Sequence, residues 1–162
     1  MYCAYLDAYR VQLGDTVAAM EPGAACSSRL ASGWTPLGLA VHLTHVERRW
    51  IVWGFLGEDV GDPWPDRAED STFVAPPSSR RDEVLQQLAA QGRVTSGVLL
   101  DHDLAEHGQP SERWAGDDPP TLERIALHLV QEYARHLGHL DIVTELADGD
   151  AGTTSGAGRP PR

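Results

Sequence analysis

The amino-acid sequence predicts an all-α fold, a four-helix bundle with a long crossover between its second and third helices. Four stretches carry apolar residues at helical spacing, and no stretch shows the strict alternation of a β-strand. Segments rich in proline, glycine and acidic residues separate these stretches, as loops would. With 162 residues the chain fits one domain, and we assign the bundle to residues 1–148.

The first two predicted helices have recognisable ends. The first spans residues 3–20 and stops before Pro22, and the second begins after Thr35, with Pro36 in its first turn, and continues to about residue 55. The threonine side chain can accept a hydrogen bond from the first turn. One face of the first helix carries a stripe of apolar side chains, which are Leu6, Tyr9, Leu13, Val17 and Met20.

A long connection over residues 57–79 follows, and it holds Trp64 and Phe73 among several prolines and glycines. Connections of this length are often functional, so we interpret it as a crossover or a lid. The third helix spans residues 79–100, although two glycines lower its helix propensity. It offers six apolar side chains to the core: Val84, Leu85, Leu88, Val94, Val98 and Leu99.

The fourth helix starts after Pro120, where Thr121 and Glu123 supply capping groups, and ends at residue 147 before Gly149. Residues 149–162 are poor in apolar side chains, and we predict a flexible C-terminal tail there.

Composition excludes several classes of function. The chain has 24 acidic and 13 basic residues, a net charge of −11, so we expect no nucleic-acid partner. All basic residues are arginine, which removes Schiff-base and phosphate-loop lysine chemistry. Cys3 and Cys26 lie far apart and indicate neither a redox motif nor a cysteine zinc site. We find no membrane span and no signal segment, and therefore expect a cytoplasmic protein.

Five of the seven histidines fall within the second and fourth predicted helices. At about 100° per residue, Glu132, His136 and His139 lie within about 80° of His128, on the same arc as the apolar residues of the fourth helix, Leu146 among them. A carboxylate on such an arc is costly unless a cation or hydrogen-bond donors compensate it. Taken alone, His128 is better explained as a core residue, and His102 and His107 as solvated loop residues.

A divalent metal would compensate Glu132. Glu132 and His136 stand one helical turn apart, and their oxygen and nitrogen donors suit Zn, Ni, Fe or Mn. His42 borders the apolar arc of the second helix, and we predict it as the third ligand. His45 falls toward the rim, beside Arg49, and we predict it and His139 as proton-moving residues. Trp50 and Trp53 are predicted as core residues.

Two stretches carry a family resemblance. LGLAVHLTHVERRW, residues 37–50, and HLVQEYARHLGHLDIVTELADG, residues 128–149, resemble the DinB superfamily of DinB/YfiT-like metalloenzymes, in particular its actinobacterial branch that includes the mini-circle protein. The segments LDAYR and WGFLGED are also similar to that branch. The resemblance covers residues 4 to 149 and rests on the two motifs occurring in this order.

The resemblance implies a four-helix bundle whose metal is held by three side chains. The family's ligands correspond here to His42, Glu132 and His136. Many relatives have histidine at the position of Glu132, so this site resembles the variant of mycothiol-dependent isomerases, with two histidines and one glutamate. Zn or Ni is then the expected ion, with Fe or Mn as alternatives. The superfamily's activities include transfer and isomerisation reactions that use mycothiol, bacillithiol or glutathione.

Our leading hypothesis is a metal-dependent enzyme that activates a small-molecule thiol, such as mycothiol, toward an electrophile. Glu47 is a weaker candidate for moving protons because it lies about 140° from His42. One alternative is a non-catalytic, stress-linked binding or regulatory bundle with a structural metal or none. Another is an inactive relative in which protonated Glu132 hydrogen-bonds to histidine. We also consider a homodimer formed through exposed apolar helix faces.

Overall fold

The computed structural model describes residues 1–67, 73, 75 and 79–153, with side chains up to residue 146. Within these ranges the chain forms five α-helices and no β-strand, which confirms the all-α prediction. The predicted crossover or lid lies partly outside the described residues, and so do residues 154–162 of the predicted tail. None of the helices described is long and apolar enough to cross a membrane.

Four long helices correspond to the four predicted ones, and a one-turn helix, α2, was not predicted. A short 3-10 turn, Glu112–Trp114, precedes the last helix. The helices are α1 (Tyr2–Ala19), α2 (Pro22–Ala25), α3 (Pro36–Glu47), α4 (Arg81–Asp101) and α5 (Leu122–Thr153).

Helix α3 begins and continues for identifiable reasons. The Thr35 side chain accepts a hydrogen bond from the Gly38 N–H at 3.0 Å, as the sequence predicts for a cap. The helix then continues as a π-helical segment, Arg48–Phe55, in place of the predicted α-helix. A π-helix bonds residue i to i+5, so angular positions calculated for an α-helix fail beyond Glu47. Arg49, predicted near the rim, is only 3% exposed, because its guanidinium pairs with Asp66 and the Pro63 carbonyl of the long connection.

Helix α5 is longer than predicted. It begins at Leu122, and the Thr121 side chain accepts a hydrogen bond from the Arg124 N–H at 3.3 Å. It continues to Thr153, six residues beyond the predicted end at residue 147. Glycine lowers helix propensity by about 1 kcal/mol but does not prevent helical geometry, so Gly149 does not end the helix.

The core lies where α3 packs against α1, α4 and α5, while α1 also contacts α4 and α5. Most predicted core residues are buried or pack against the core. Two predictions are wrong, because Val94 is 45% and Leu146 is 47% exposed. Helical spacing places a residue on an arc, but it does not say whether a neighbouring element covers that arc at that level.

A buried polar cluster ties three of these helices together. Arg10 of α1 contacts the Glu47 carboxylate twice, Nε to Oε1 at 2.8 Å and Nη2 to Oε2 at 2.9 Å. The Tyr133 hydroxyl of α5 donates to Glu47 Oε1 at 2.5 Å. Glu47 is completely buried. Its carboxylate is thus committed to a structural ion pair, and the prediction that it could move protons at the site is wrong.

Candidate metal centre

The three predicted ligands meet between α3 and α5. One ligand atom from each of His42, Glu132 and His136 lies within 4.8 Å of the other two. Glu132 Oε2 is 3.4 Å from His136 Nε2, as expected for residues one turn apart on the same helix. His42 and His136 are buried, whereas the Glu132 side chain is 26% exposed. The site is therefore reached from solvent on the glutamate side.

His42 is held by a carboxylate on the side away from the cluster. Its Nδ1 lies 2.8 Å from Asp66 Oδ2, and Asp66 is completely buried. Its ring stacks on Phe73, with centroids 3.8 Å apart and an interplanar angle of 18°. An Nδ1–H that donates to a carboxylate leaves Nε2 as the atom with a free lone pair. This arrangement of carboxylate, histidine and open nitrogen is typical of a metal-ligating histidine.

Asp66 is in turn fixed by Arg49. The guanidinium donates to Asp66 Oδ1 at 2.6 Å and to Oδ2 at 3.2 Å, and it also donates to the Pro63 carbonyl at 2.9 Å. Burial alone would raise the pKa of Asp66, but the hydrogen bonds from His42 and Arg49 hold that pKa well below its usual range. Asp66 is therefore ionised at neutral pH and accepts the His42 proton.

Sequence reasoning missed Asp66. It lies in the long connection among other acidic residues, and its contact with His42 spans 24 positions. Arg49 was predicted near the rim, so its hydrogen bonds to the buried Asp66 carboxylate were not expected. The one available signal was indirect, because a predicted histidine ligand implies an acceptor for its other ring nitrogen.

The pKa values of His42 and Glu132 are displaced toward the protonation states that bind a metal. Burial lowers the pKa of His42, and this effect outweighs the nearby Asp66 carboxylate. A hydrogen bond with His136 lowers the pKa of Glu132 despite its partial burial. Metals bind neutral imidazole and ionised carboxylate, so both shifts favour a ligand set ready at neutral pH. The lowered pKa of Glu132 also argues against an inactive site with a protonated glutamate.

Three other histidines, His128, His45 and His139, differ in how close they lie to this cluster. His128 is half-buried, and its Nε2 is 3.5 Å from Glu132 Oε1. His45 is half-buried and His139 is exposed, and neither lines the cleft above the cluster. The His139 ring lies edge-on to His136, with centroids 5.7 Å apart. The structure therefore brings His128 into the site, and it places His45 and His139 at the periphery.

The cluster opens into a cleft of about 360 Å³. The π-helical segment supplies Trp50, and the described part of the long connection supplies Trp64 and Phe73 as one wall. Trp50 is half-buried: it packs against the core, as predicted, and it also lines the cleft. Among the residues that the structure describes, Glu132 is the one carboxylate that lines the cleft, beside four arginines: Arg49, Arg67, Arg113 and Arg135.

Gly38 permits the close packing behind His42. A Cβ atom at this position would lie 2.7 Å from the Phe73 carbonyl oxygen, which is closer than real Cβ contacts. Glycine in the first turn of α3 thus allows the connection to approach and the Phe73 ring to stack on His42.

The donor set fits a divalent ion. Two imidazoles and one carboxylate suit Zn, Ni, Fe or Mn, and three protein ligands leave a coordination position open for a small molecule. Catalytic zinc sites have this open arrangement, whereas structural sites are closed by four protein ligands.

The chain matches a family model described as mycothiol-S-transferase over residues 1–149. This range contains the three clustered ligands, Asp66 and every residue that lines the cleft. No curated protein and no solved structure gives a significant match to the chain. Because the family model covers nearly the whole sequence, the chain belongs to the mycothiol-S-transferase family, within the DinB/YfiT-like superfamily.

Proposed function

We propose that this protein is a divalent-metal-dependent transferase that activates mycothiol for attack on a small electrophile. The observation that carries the proposal is the approach of His42, Glu132 and His136 to within 4.8 Å at the base of a cleft. The family of the chain supplies the thiol. Zn or Ni is our proposed ion, with Fe or Mn as alternatives.

We likewise propose that α1, α3, α4 and α5 constitute the four-helix bundle of this superfamily, with residues 57–79 as its crossover. The mutual contacts of α3 with the other three long helices support this architecture. A homodimer and the lid function of the crossover stay predictions.

A bound divalent ion would lower the pKa of a coordinated thiol and so supply a thiolate at neutral pH. The residues around it have separable tasks. Asp66 and Arg49 fix the His42 ring, and Phe73 covers it from solvent. Glu132 and His136 present their ligand atoms from one face of α5.

His128 is our preferred proton acceptor. It lines the cleft beside Glu132, and burial lowers its pKa, so its imidazole is neutral at pH 7 and can accept the proton that a thiol releases. His45 and His139 stay proposed as proton carriers at the periphery, from which they could exchange protons with solvent.

Metal content tests the proposal directly. We would purify the chain without a polyhistidine tag, load it with Zn, and measure metal per chain by plasma mass spectrometry. Wild type should hold about one equivalent, while His42→Ala and His136→Ala should each hold less than about a tenth, because two ligands do not retain the ion. His102→Ala, a partly exposed histidine at the end of α4, is the matched control and should behave as wild type.

Activity is the second measurement on the same samples. Zn-loaded wild type should accelerate consumption of mycothiol by a thiol-reactive electrophile, and the two ligand variants should not. A full equivalent of metal in either ligand variant would contradict the assigned site. Stoichiometric metal without any acceleration would favour a structural ion in a binding or regulatory bundle.

A further inference from the structure

The cleft is basic in an acidic protein. The whole chain has a net charge of −11, yet the described residues that line this cleft include four arginines and one carboxylate. Arg49 is neutralised by buried Asp66, so it does not contribute a free positive charge. Arg135 is exposed, and its charge is screened by solvent. Arg67 is likewise exposed, which leaves Arg113 as the half-buried arginine of this set that is not paired with Asp66.

Arg113 lies among three tryptophans. Its guanidinium carbon is 4.2 Å from the Trp50 ring centroid, 5.1 Å from that of Trp114 and 5.7 Å from that of Trp53. Within the described part of the chain no carboxylate pairs with it, and its buried Nε has no hydrogen-bond partner. Burial, together with the nearby Arg49 charge, lowers the pKa of Arg113 to about 10. A half-buried cation with an unsatisfied donor is costly unless a ligand completes it.

The backbone around Arg113 is arranged to hold it in place. The Trp114 indole N–H donates to the Gly54 carbonyl at 2.9 Å, which fastens the 3-10 turn to the π-helical segment. A Cβ atom on Gly54 would lie 3.0 Å from Trp114 Cζ2 and 3.2 Å from Arg113 Cδ. Glycine at position 54 therefore permits both side chains to approach the helix, and the guanidinium is positioned before any ligand arrives.

We infer that Arg113 binds a carboxylate group on the electrophilic substrate, and this inference rests on the proposed function. The three tryptophan rings offer no acceptor to the guanidinium N–H groups, and the planar fork of these groups suits the two oxygens of a carboxylate. Trp50 contacts both Arg113 and His128, whose ring centroid is 4.1 Å from that of Trp50. The anchored acid would thus lie beside the metal ligands, with its apolar body against Trp50.

Binding of a matched pair of probes tests this assignment. Benzoate and benzamide have the same shape, but only benzoate is charged. We would titrate each into the full chain by isothermal calorimetry, with Zn and after treatment with EDTA. Benzoate should bind at least about tenfold more tightly than benzamide in both forms, because a hydrogen-bonded charge pair contributes more than a neutral one. Equal affinities would overturn the inference.

Variants identify the residue responsible. Arg113→Gln should weaken benzoate binding about tenfold or more and leave benzamide binding unchanged, and Arg113→Lys should retain part of the preference. Arg93→Gln, an exposed arginine of α4, removes the same charge elsewhere and should bind benzoate as wild type does. Circular dichroism establishes that each variant is folded. Benzoate binding to folded Arg113→Gln with wild-type affinity would overturn the inference.

The same titrations distinguish whether Arg113 or the metal binds the anion. Loss of benzoate binding in folded, EDTA-treated wild type would mean that the metal binds the anion, which contradicts a role for Arg113. Competitive displacement of benzoate by mycothiol would assign Arg113 to the thiol, against the inference. Metal content is measured on the Zn-loaded samples, so wild type that binds benzoate but holds no Zn after loading would refute the metal site and retain the anion site.

Discussion

Helix α3 carries two polar clusters that differ in how completely their groups are satisfied. At Glu47 the carboxylate is buried and is bound by Arg10 and Tyr133. At His42 one ring nitrogen is bound by Asp66, and the other is left for the cluster with Glu132 and His136. Both sites bury charged groups, but the second of them presents ligand atoms beside a cleft.

The comparison teaches that a buried charge alone does not indicate a functional site. The Glu47 cluster is closed, because every polar atom of its carboxylate meets a donor on another helix, so it can fix the relative positions of α1, α3 and α5 and do little else. The His42 cluster is open, because Asp66 and Arg49 satisfy one side of the imidazole and orient the other. A ligand can bind where polar atoms are held in position but are not already bound by the protein.

The closed cluster should give the largest effect on stability. Glu47→Ala leaves the buried Arg10 Nε and Nη2 without their acceptor, while Nη1 keeps its contact with Asp7, and should lower the free energy of unfolding by about 3 kcal/mol. Urea denaturation measures this loss, and metal content should be retained wherever the variant is folded. Glu145→Ala, an exposed glutamate of α5, is the control and should change stability by less than about 0.5 kcal/mol. Loss of metal without loss of stability would contradict the distinction between the clusters.

Asp66→Asn should affect the open cluster next. It keeps the size of the side chain but removes the charge that orients His42, so the affinity for Zn should fall about 10–100-fold. Competition with a chelator dye measures the affinity. Asp101→Asn, an exposed aspartate at the end of α4, is the matched control. An unchanged affinity in Asp66→Asn would show that the carboxylate does not support the ligand.

Gly38→Ala should have a smaller effect on the same cluster. The added methyl group meets the Phe73 carbonyl, displaces the ring from His42 and should cost about 1–3 kcal/mol of stability together with a few-fold loss of Zn affinity. Gly97→Ala in α4 meets nothing within 4 Å and should stabilise the chain by up to about 1 kcal/mol. If both variants are stabilised, Phe73 does not pack as described.

The smallest effect concerns pH. Burial lowers the pKa of His45, with Arg49 and Arg48 adding to this effect while Asp66 and Asp62 oppose it. The unfolded chain then binds a proton that the folded chain does not, so stability falls as the pH drops below about 6.5 and levels off below the folded pKa. Asp66 contributes to stability at lower pH. Its pKa is depressed in the folded chain, so the stability that its ionised carboxylate provides is lost only as the pH falls below about 4.

Urea midpoints of EDTA-treated protein between pH 8 and pH 3 separate these two windows. His45→Asn should reduce the loss of stability between pH 7 and pH 5 and leave the loss below pH 4 unchanged. An unchanged slope between pH 7 and pH 5 in this variant would contradict a lowered pKa for His45.

Sequence reasoning predicted the long helices well because their signals are local. Thr35 and Pro36 define the start of α3, and the periodicity of α5 places Glu132 and His136 on one face. It failed where a local rule ceased to apply. The predicted α-helix becomes π-helical after Glu47, and Val94 and Leu146 are exposed although helical spacing places them on apolar arcs.

The sequence by itself determined the helical class, the pairing of Glu132 with His136 and the candidate third ligand His42, because each depends on spacing within one helix. Tertiary structure decided which carboxylate orients His42, that Glu47 is closed off by Arg10, and that Arg113 lies among three tryptophans. Those contacts join residues far apart in the chain. They depend on how the connections fold against the helices, and helical periodicity carries no information about that packing.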